Sequence, residues 1–255
     1  YIHQSADGVL DLVSDTEIEI NATTIDINGN ADVSGTVTAT GTSVFASLDI
    51  SGDIDVDGTT NLDAVDIDGA VDVAGIITTS TPGSNNVRLG DGAGAAIESG
   101  GTRNVAIGSN AGAAITTGDY NVAIGYNALN AEDTGTRSTA VGYFALDTQN
   151  NYDANHNTAL GFTALEKTTT GQYNTGLGSQ ALNANTTANN NTAVGYNSLV
   201  LNTTGRQNVA VGSTSLDANT TGENNTAVGY DALSANTTAD ENTGVGGFAL
   251  NANTT

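Results

Sequence analysis

Asn225-Thr226-Ala227-Val228-Gly229-Tyr230-Asp231-Ala232-Leu233 decides the fold, because the chain repeats this phrase with small changes ten times. The copies begin at Asn86, Asn104, Asn121, Ser138, Asn157, Asn174, Asn191, Asn208, Asn225 and Asn242. Their spacing is 17 residues in seven of nine intervals, with 18 once and 19 once. A fixed short period makes each copy one structural unit stacked on the last. Counting from the opening Asn or Ser, position 4 is always aliphatic, from Leu89 to Val245, and position 5 is always Gly. Position 8 is Ala or Ser, and position 9 is Leu from Leu129 onward. A polar tract such as Asn202-Thr203-Thr204-Gly205 closes the copy. The pattern predicts one β-coil per copy. A short strand carries the position-4 aliphatic inward, Gly turns a corner, Ala-Leu forms a second inward face, and Asn, Thr and Gly close the turn. No copy holds enough helical periodicity for a stable helix.

Composition agrees with thin, closely stacked β-structure. The 255 residues include 32 Gly and one Pro, with no Cys, Met or Trp, and aromatics are only 5%. Low hydrophobicity with high net charge also favours disorder, but the strict register of Val, Gly and Leu argues for order. One aliphatic and one Leu per coil are little burial against the entropy of ordering a whole coil. This predicts a further buried surface, most simply a three-fold interface between chains.

The formal charge is −23, from 5 basic and 28 acidic residues. Residues 1–85 contain no Lys or Arg, and Arg88 is the first basic residue. Such a balance repels phosphate backbones and anionic membrane surfaces, so neither nucleic acid nor membrane insertion is expected. No apolar run approaches the length of a membrane helix. The chain starts at Tyr1, and it reads as a fragment or a processed product.

Residues 1–85 form a first segment of another kind. Short alternating runs such as Ile54-Asp55-Val56-Asp57 and Val65-Asp66-Ile67-Asp68 place Ile/Val on one face and Asp on the other. Glycines recur at six-residue steps, at Gly29, Gly35 and Gly41, then at Gly52 and Gly58. Strands this short need partners, so the expectation is an intertwined trimeric β-shaft over 1–85. The turn-rich Thr81-Pro82-Gly83-Ser84 then leads into the array over 86–255. The fold class expected overall is all-β: a repetitive trimeric β-fibre, with the shaft followed by stacked β-roll or β-helix coils.

Asn104-Val105-Ala106-Ile107-Gly108-Ser109 and Asn208-Val209-Ala210-Val211-Gly212-Ser213 resemble the head repeats of trimeric autotransporter adhesins. That resemblance implies a trimeric left-handed parallel β-roll that binds host surfaces, although the repeat here is longer. The phrases at 225–233 and 138–146 are more similar to the Asn-Thr-Ala-Val-Gly-Tyr-x-Ala-Leu repeat of phage-type tail fibre proteins. The Asp-Gly-rich run 48–75 also resembles shaft segments of marine phage fibres. In the tail fibre family such arrays often precede a chaperone domain that trimerises the fibre and cleaves itself off. The resemblance implies a structural and adhesive segment of a virion tail fibre, giving reach and host attachment. Its partners would be two further copies, other tail or fibre proteins, and a host-surface glycan or protein. A bacterial surface adhesin or extracellular filament is the alternative of the same class. An ice- or calcium-binding solenoid is the alternative of another.

Candidate sites are few. Asp53, Asp55 and Asp57 match the start of a calcium loop, but Ala64 stands where a bidentate Glu belongs. A solvated strand face explains them better, and calcium is the one cofactor this pattern suggests. Tyr126, Tyr143, Phe162, Tyr196 and Tyr230 share position 6. Stacked outward they would make an aromatic stripe for sugar or protein contact; alternatively they pack between chains. His3 and His156 lack partners at ligand spacing and read as exposed residues. The single Thr36, Thr38, Thr40, Thr42 row reads as a polar strand rather than an ice-ordering plane. Asn21, Asn185, Asn202, Asn219, Asn236 and Asn253 begin glycosylation sequons where turns also need Asn. No triad, phosphate loop or zinc spacing stands out, so no enzymatic activity is expected.

Overall fold

The computed structural model describes residues 2–4, 10–12, 36, 38, 83–97, 100–152 and 155–254. The chain divides into two units, Tyr1–Gly69 and Ala70–Thr255. In the first, β1 (Ile2–Gln4) pairs antiparallel with β2 (Leu10–Leu12). Apart from residues 36, 38 and 83–85, the rest of the expected shaft, with Asp53, Asp55 and Asp57, lies outside the described residues.

The second unit is a β-solenoid of about nine turns, and no helix occurs among the described residues. Each copy gives one three-residue strand: β3 (Val87–Leu89), β4 (Val105–Ile107), β5 (Val122–Ile124), β6 (Thr139–Val141), β7 (Thr158–Leu160), β8 (Thr175–Leu177), β9 (Thr192–Val194), β10 (Val209–Val211), β11 (Thr226–Val228) and β12 (Thr243–Val245). They form one ten-stranded parallel sheet in unbroken chain order. Like pairs with like: Ala210 faces Ala193 on one side and Ala227 on the other. Parallel neighbours need a crossover, usually a helix. Here the crossover is the rest of the coil, built from turns.

Those turns depend on left-handed backbone at fixed places. Positions 7 and 9, and the residue before each opening Asn or Ser (position 17 in most copies), have positive φ whatever residue occupies them, as at Phe144 (53°), Leu146 (52°) and Tyr173 (59°). This conformation costs an L-residue about 1–2 kcal/mol. The return is that each such N–H points along the stack. Phe144 N–H donates to Tyr126 O at 3.0 Å, Leu146 N–H to Ala164 O at 3.1 Å, and Arg137 N–H to Asp119 O at 3.0 Å. The coil-to-coil ladder therefore continues around the corners. Position 5 is stricter. A Cβ on Gly108 (φ 123°) would lie 2.7 Å from the carbonyl oxygen of Gly125 in the next coil.

The core corrects the inward assignment of position 4. Within each strand the middle residue points in: Ala106, Ala123, Ala140, Ala159, Ala193, Ala210 and Ala227 are fully buried. Position 4 faces out, with Leu160 47% and Leu177 41% exposed. The interior is too thin for a larger side chain there. Strand Ala meets Ala or Ser of position 8 and Leu of position 9, and the space is full. The Ala-Leu face is inward as expected, with Leu129, Leu146, Leu165, Leu182, Leu199, Leu216 and Leu233 all buried. The first two coils replace that Leu by Gly94 and Gly112. There Ile97 and Ile115 from position 12 fill the vacated space, their Cδ1 atoms 2.8 Å from where a Cβ would stand.

The other half of the interior is polar. The Asn opening one coil accepts, through Oδ1, the backbone N–H of the Asn opening the next. Asn121 N to Asn104, Asn191 N to Asn174, Asn208 N to Asn191 and Asn225 N to Asn208 span 2.9–3.0 Å. The same amide donates to position 15 of its own coil, as in Asn208 Nδ2 to Gly222 O at 2.8 Å. One side chain thus closes its coil and attaches the next. A second ladder runs through position 12, where Asn219 Nδ2 donates to Asn202 Oδ1 at 2.9 Å. We predict that Asn208→Ala destabilises the array by about 2–6 kcal/mol, because it strands the Asn225 N–H and one bond to the Gly222 carbonyl. Hydrogen exchange would read faster opening centred on 208–225, whereas an unchanged exchange pattern would contradict this role for the ladder.

Candidate functional site

The position-6 side chain emerges just after the Gly corner. Its backbone carbonyl is fixed by the position-7 N–H of the following coil: Gln180 N to Phe162 O and Thr214 N to Tyr196 O are both 2.8 Å. Successive position-6 side chains therefore stand in register along the stack. Tyr126, Tyr143 and Phe162 form a continuous stack, with centroids 5.3 Å and 5.4 Å apart and planes within 18° and 6° of parallel. Phe144, from position 7, meets Tyr143 and Tyr126 edge-on at 4.5 Å and 5.5 Å. Tyr196 stacks on no ring among the described residues, because the coils on either side carry Ser179 and Ser213. Tyr230 meets Phe248 edge-on at 5.2 Å. All five position-6 aromatics are exposed.

A second exposed column escaped the sequence reading. It occupies the left-handed residue before each opening Asn or Ser, which is position 17 in the 17-residue copies. Tyr120 lies between Arg103 and Arg137, whose guanidinium carbons are 5.3 Å and 5.6 Å from its ring centroid. Arg103 Nη1 also donates to Tyr120 Oη at 3.1 Å. Further along, His156 and Tyr173 stack at 5.4 Å and 12°. The signal was present in the sequence, since these residues all precede an opening Asn or Ser, but the position varies in type and carries no motif. His156 is an exposed residue as expected, and it has a ring partner.

Other candidates fall away or lie elsewhere. Asn185, Asn202, Asn219 and Asn236 are fully buried in the position-12 ladder, so these sequons are structural. Thr36 and Thr38 are exposed, while Thr40 and Thr42 lie outside the described residues. Among the described residues no group of three or more His, Cys, Asp or Glu is placed to hold a metal ion. No helix there is long and apolar enough to cross a membrane.

Among the described residues, one ionisable side chain is fully buried inside the coil stack. Ser138 interrupts the opening-Asn ladder, and a local polar cluster takes its place. Glu132, at position 12 and fully buried, accepts from Gly135 N–H at 2.7 Å, Gln149 Nε2 at 2.7 Å and Asn155 Nδ2 at 2.8 Å. Gln149 Nε2 also reaches Ser138 Oγ at 2.9 Å. Asn157 Nδ2 closes the cluster on Gln149 Oε1 at 2.6 Å. Burial pushes the Glu132 carboxyl above its ordinary range, and the bonds from Gln149 and the Gly135 backbone recover part of that.

Comparison with known protein families, curated proteins and solved structures finds no match. The functional reading therefore rests on the surfaces of the solenoid.

Because Glu132 holds its proton more tightly folded than unfolded, its stabilising contribution is full below the ordinary carboxylate range. It is lost as pH rises through the raised folded value. Glu132→Asn places here the residue that later coils use at position 12. The expected outcome is a higher unfolding temperature near about pH 8 and a weaker decline of that temperature on leaving the acid range. Calorimetry across the pH range measures both, and an unaltered profile would count against Glu132 as its source.

Proposed function

We propose that this chain is a structural and adhesive fibre segment of the phage tail fibre kind, working as a trimer. The observation that carries this reading is the outward face of the ten-stranded sheet. Positions 2 and 4 of every strand are Val, Thr, Leu or Ile, without a single charge, in a chain of net charge −23. A long uncharged aliphatic face on so acidic a protein is the surface least at home in water. It suits burial against the same face of other copies around an axis. The in-register strands give stiffness, and repetition gives reach. Outward aromatics are left to meet a host-surface glycan or protein. The virion tail is the location this reading implies; a bacterial surface adhesin or extracellular filament would use the same face in the same way.

The outward Thr of position 2, at Thr139, Thr158, Thr175, Thr192, Thr226 and Thr243, favours a second reading. A Thr rank beside an aliphatic rank, here interrupted by Val209, is a surface that orders water, as an ice-binding solenoid requires. The two readings part on mass. Light scattering after size exclusion is expected to give about three chains, stable to dilution. The pair Leu160→Glu and Leu177→Glu, exposed in a single chain, is expected to yield monomers whose coils remain folded by circular dichroism. A parent that is itself a stable monomer would remove the fibre reading, and thermal hysteresis of that monomer would establish the other.

A further inference from the structure

The aromatic column contains its own picture of an occupied site. Tyr126 and Phe162 stand two coils apart, and Tyr143 lies between them as a nearly parallel ring, 5.3 Å from one and 5.4 Å from the other. The next two intervals have the same frame without the middle ring. Phe162 and Tyr196 flank Ser179, and Tyr196 and Tyr230 flank Ser213. Rings two coils apart are separated by about 10 Å, twice the strand spacing. By register each interval is thus a gap between two exposed position-6 rings, with a serine at the position between them.

We propose that the slots over Ser179 and Ser213 each bind one neutral pyranose ring, presented as a terminal or branching sugar. This deepens the adhesive reading above and rests on it for biological meaning. A pyranose chair presents C–H groups on both faces, so it meets both walls as Tyr143 does in the filled interval, and unlike a plain aromatic guest it brings several hydroxyls to the polar floor. Charge argues for a neutral ligand. The slot over Ser179, with Phe162, Thr163, Gln180 and Tyr196, is uncharged on a strongly acidic chain, and beside the slot over Ser213 the Asp231 carboxylate accepts from Thr214 Oγ1. Polarity supplies the hydroxyl partners. The side chains of Ser179, Ser213 and Gln180 make no hydrogen bond among the described residues and are partly exposed. Orientation restricts the presentation. The ring must lie across the stack, which a sugar inside a chain running along the stack does not do.

The test uses the intact chain and two probes, methyl β-D-glucopyranoside and methyl β-D-galactopyranoside, by saturation-transfer NMR. Transfer to the pyranoside ring C–H protons is expected for at least one probe. The double variant Ser179→Tyr with Ser213→Tyr, which copies the filled arrangement of Tyr143, is expected to abolish it. Tyr196→Ala, which removes the wall shared by both slots, is expected to weaken binding about three- to ten-fold. Arg206→Ala, at an exposed site away from the aromatic column, is expected to leave it unchanged, and calorimetry of each variant confirms the fold. Transfer that survives the double variant, or none from either probe, overturns the proposal. If p-cresol binds in a Tyr196-dependent way and neither sugar does, the slots belong to an aromatic side chain of a protein partner, which also overturns it. Mass and transfer are separate readouts. A monomer that binds sugar retires the fibre and keeps the slots, and a trimer that binds none does the reverse.

Discussion

The structure depends on one constraint: each coil must pass its backbone hydrogen bonds to the next without a break. A sheet of three-residue strands would supply too few such bonds. The opening asparagine extends the ladder into the interior. Its carbonyl oxygen takes an N–H from the following coil, and its amino group holds the far end of its own. Buried amides are costly when unpaired and inexpensive when fully paired. The solenoid can therefore fill half its interior with asparagine because each opening Asn pairs its carbonyl oxygen with the next coil and its amino group with its own.

The apolar half of the interior follows from that thinness. From the second strand of the sheet onward the strand side holds only Ala or Gly, so nearly all aliphatic burial falls to one Leu per coil. That Leu sits in left-handed backbone, a conformation unfavourable to it locally. Two requirements meet at this residue: its N–H must reach the neighbouring coil and its side chain must fill the core. Where Gly94 and Gly112 relieve the backbone, Ile97 and Ile115 restore the volume from three residues further on. The substitution preserves the filled space rather than the position.

Much of this was legible in the sequence. The period, the single strand per copy, the Gly corner and the Ala-Leu face all follow from residues that recur at fixed places. Position 4 was misplaced because an invariant aliphatic reads as core. In a strand of three residues only the middle one points in, and in this thin coil that residue is Ala. The polar ladder hid because Asn at the start of a copy has the same appearance as Asn in a turn. The position-17 column hid for another reason: left-handed backbone there is imposed by the fold and leaves no preferred residue type. The aromatic column was visible as a list of residues, but its division into a stack and two gaps depends on which coils carry Ser179 and Ser213.

Near-identical coils raise the problem of counting. A chain that pairs each coil with the next but one loses little in any ordinary stretch, so slipped stacks compete with the native one during folding. The coil opened by Ser138 removes that degeneracy. It is two residues longer than most, and its neighbour's Glu132 requires Gln149 and Asn155 as donors. A slip of one coil would bring Thr168 opposite Glu132 in place of Gln149, leaving a buried carboxylate short of a partner. The irregular coil acts as an index mark on an otherwise uniform ruler, telling every other coil which neighbour is its own.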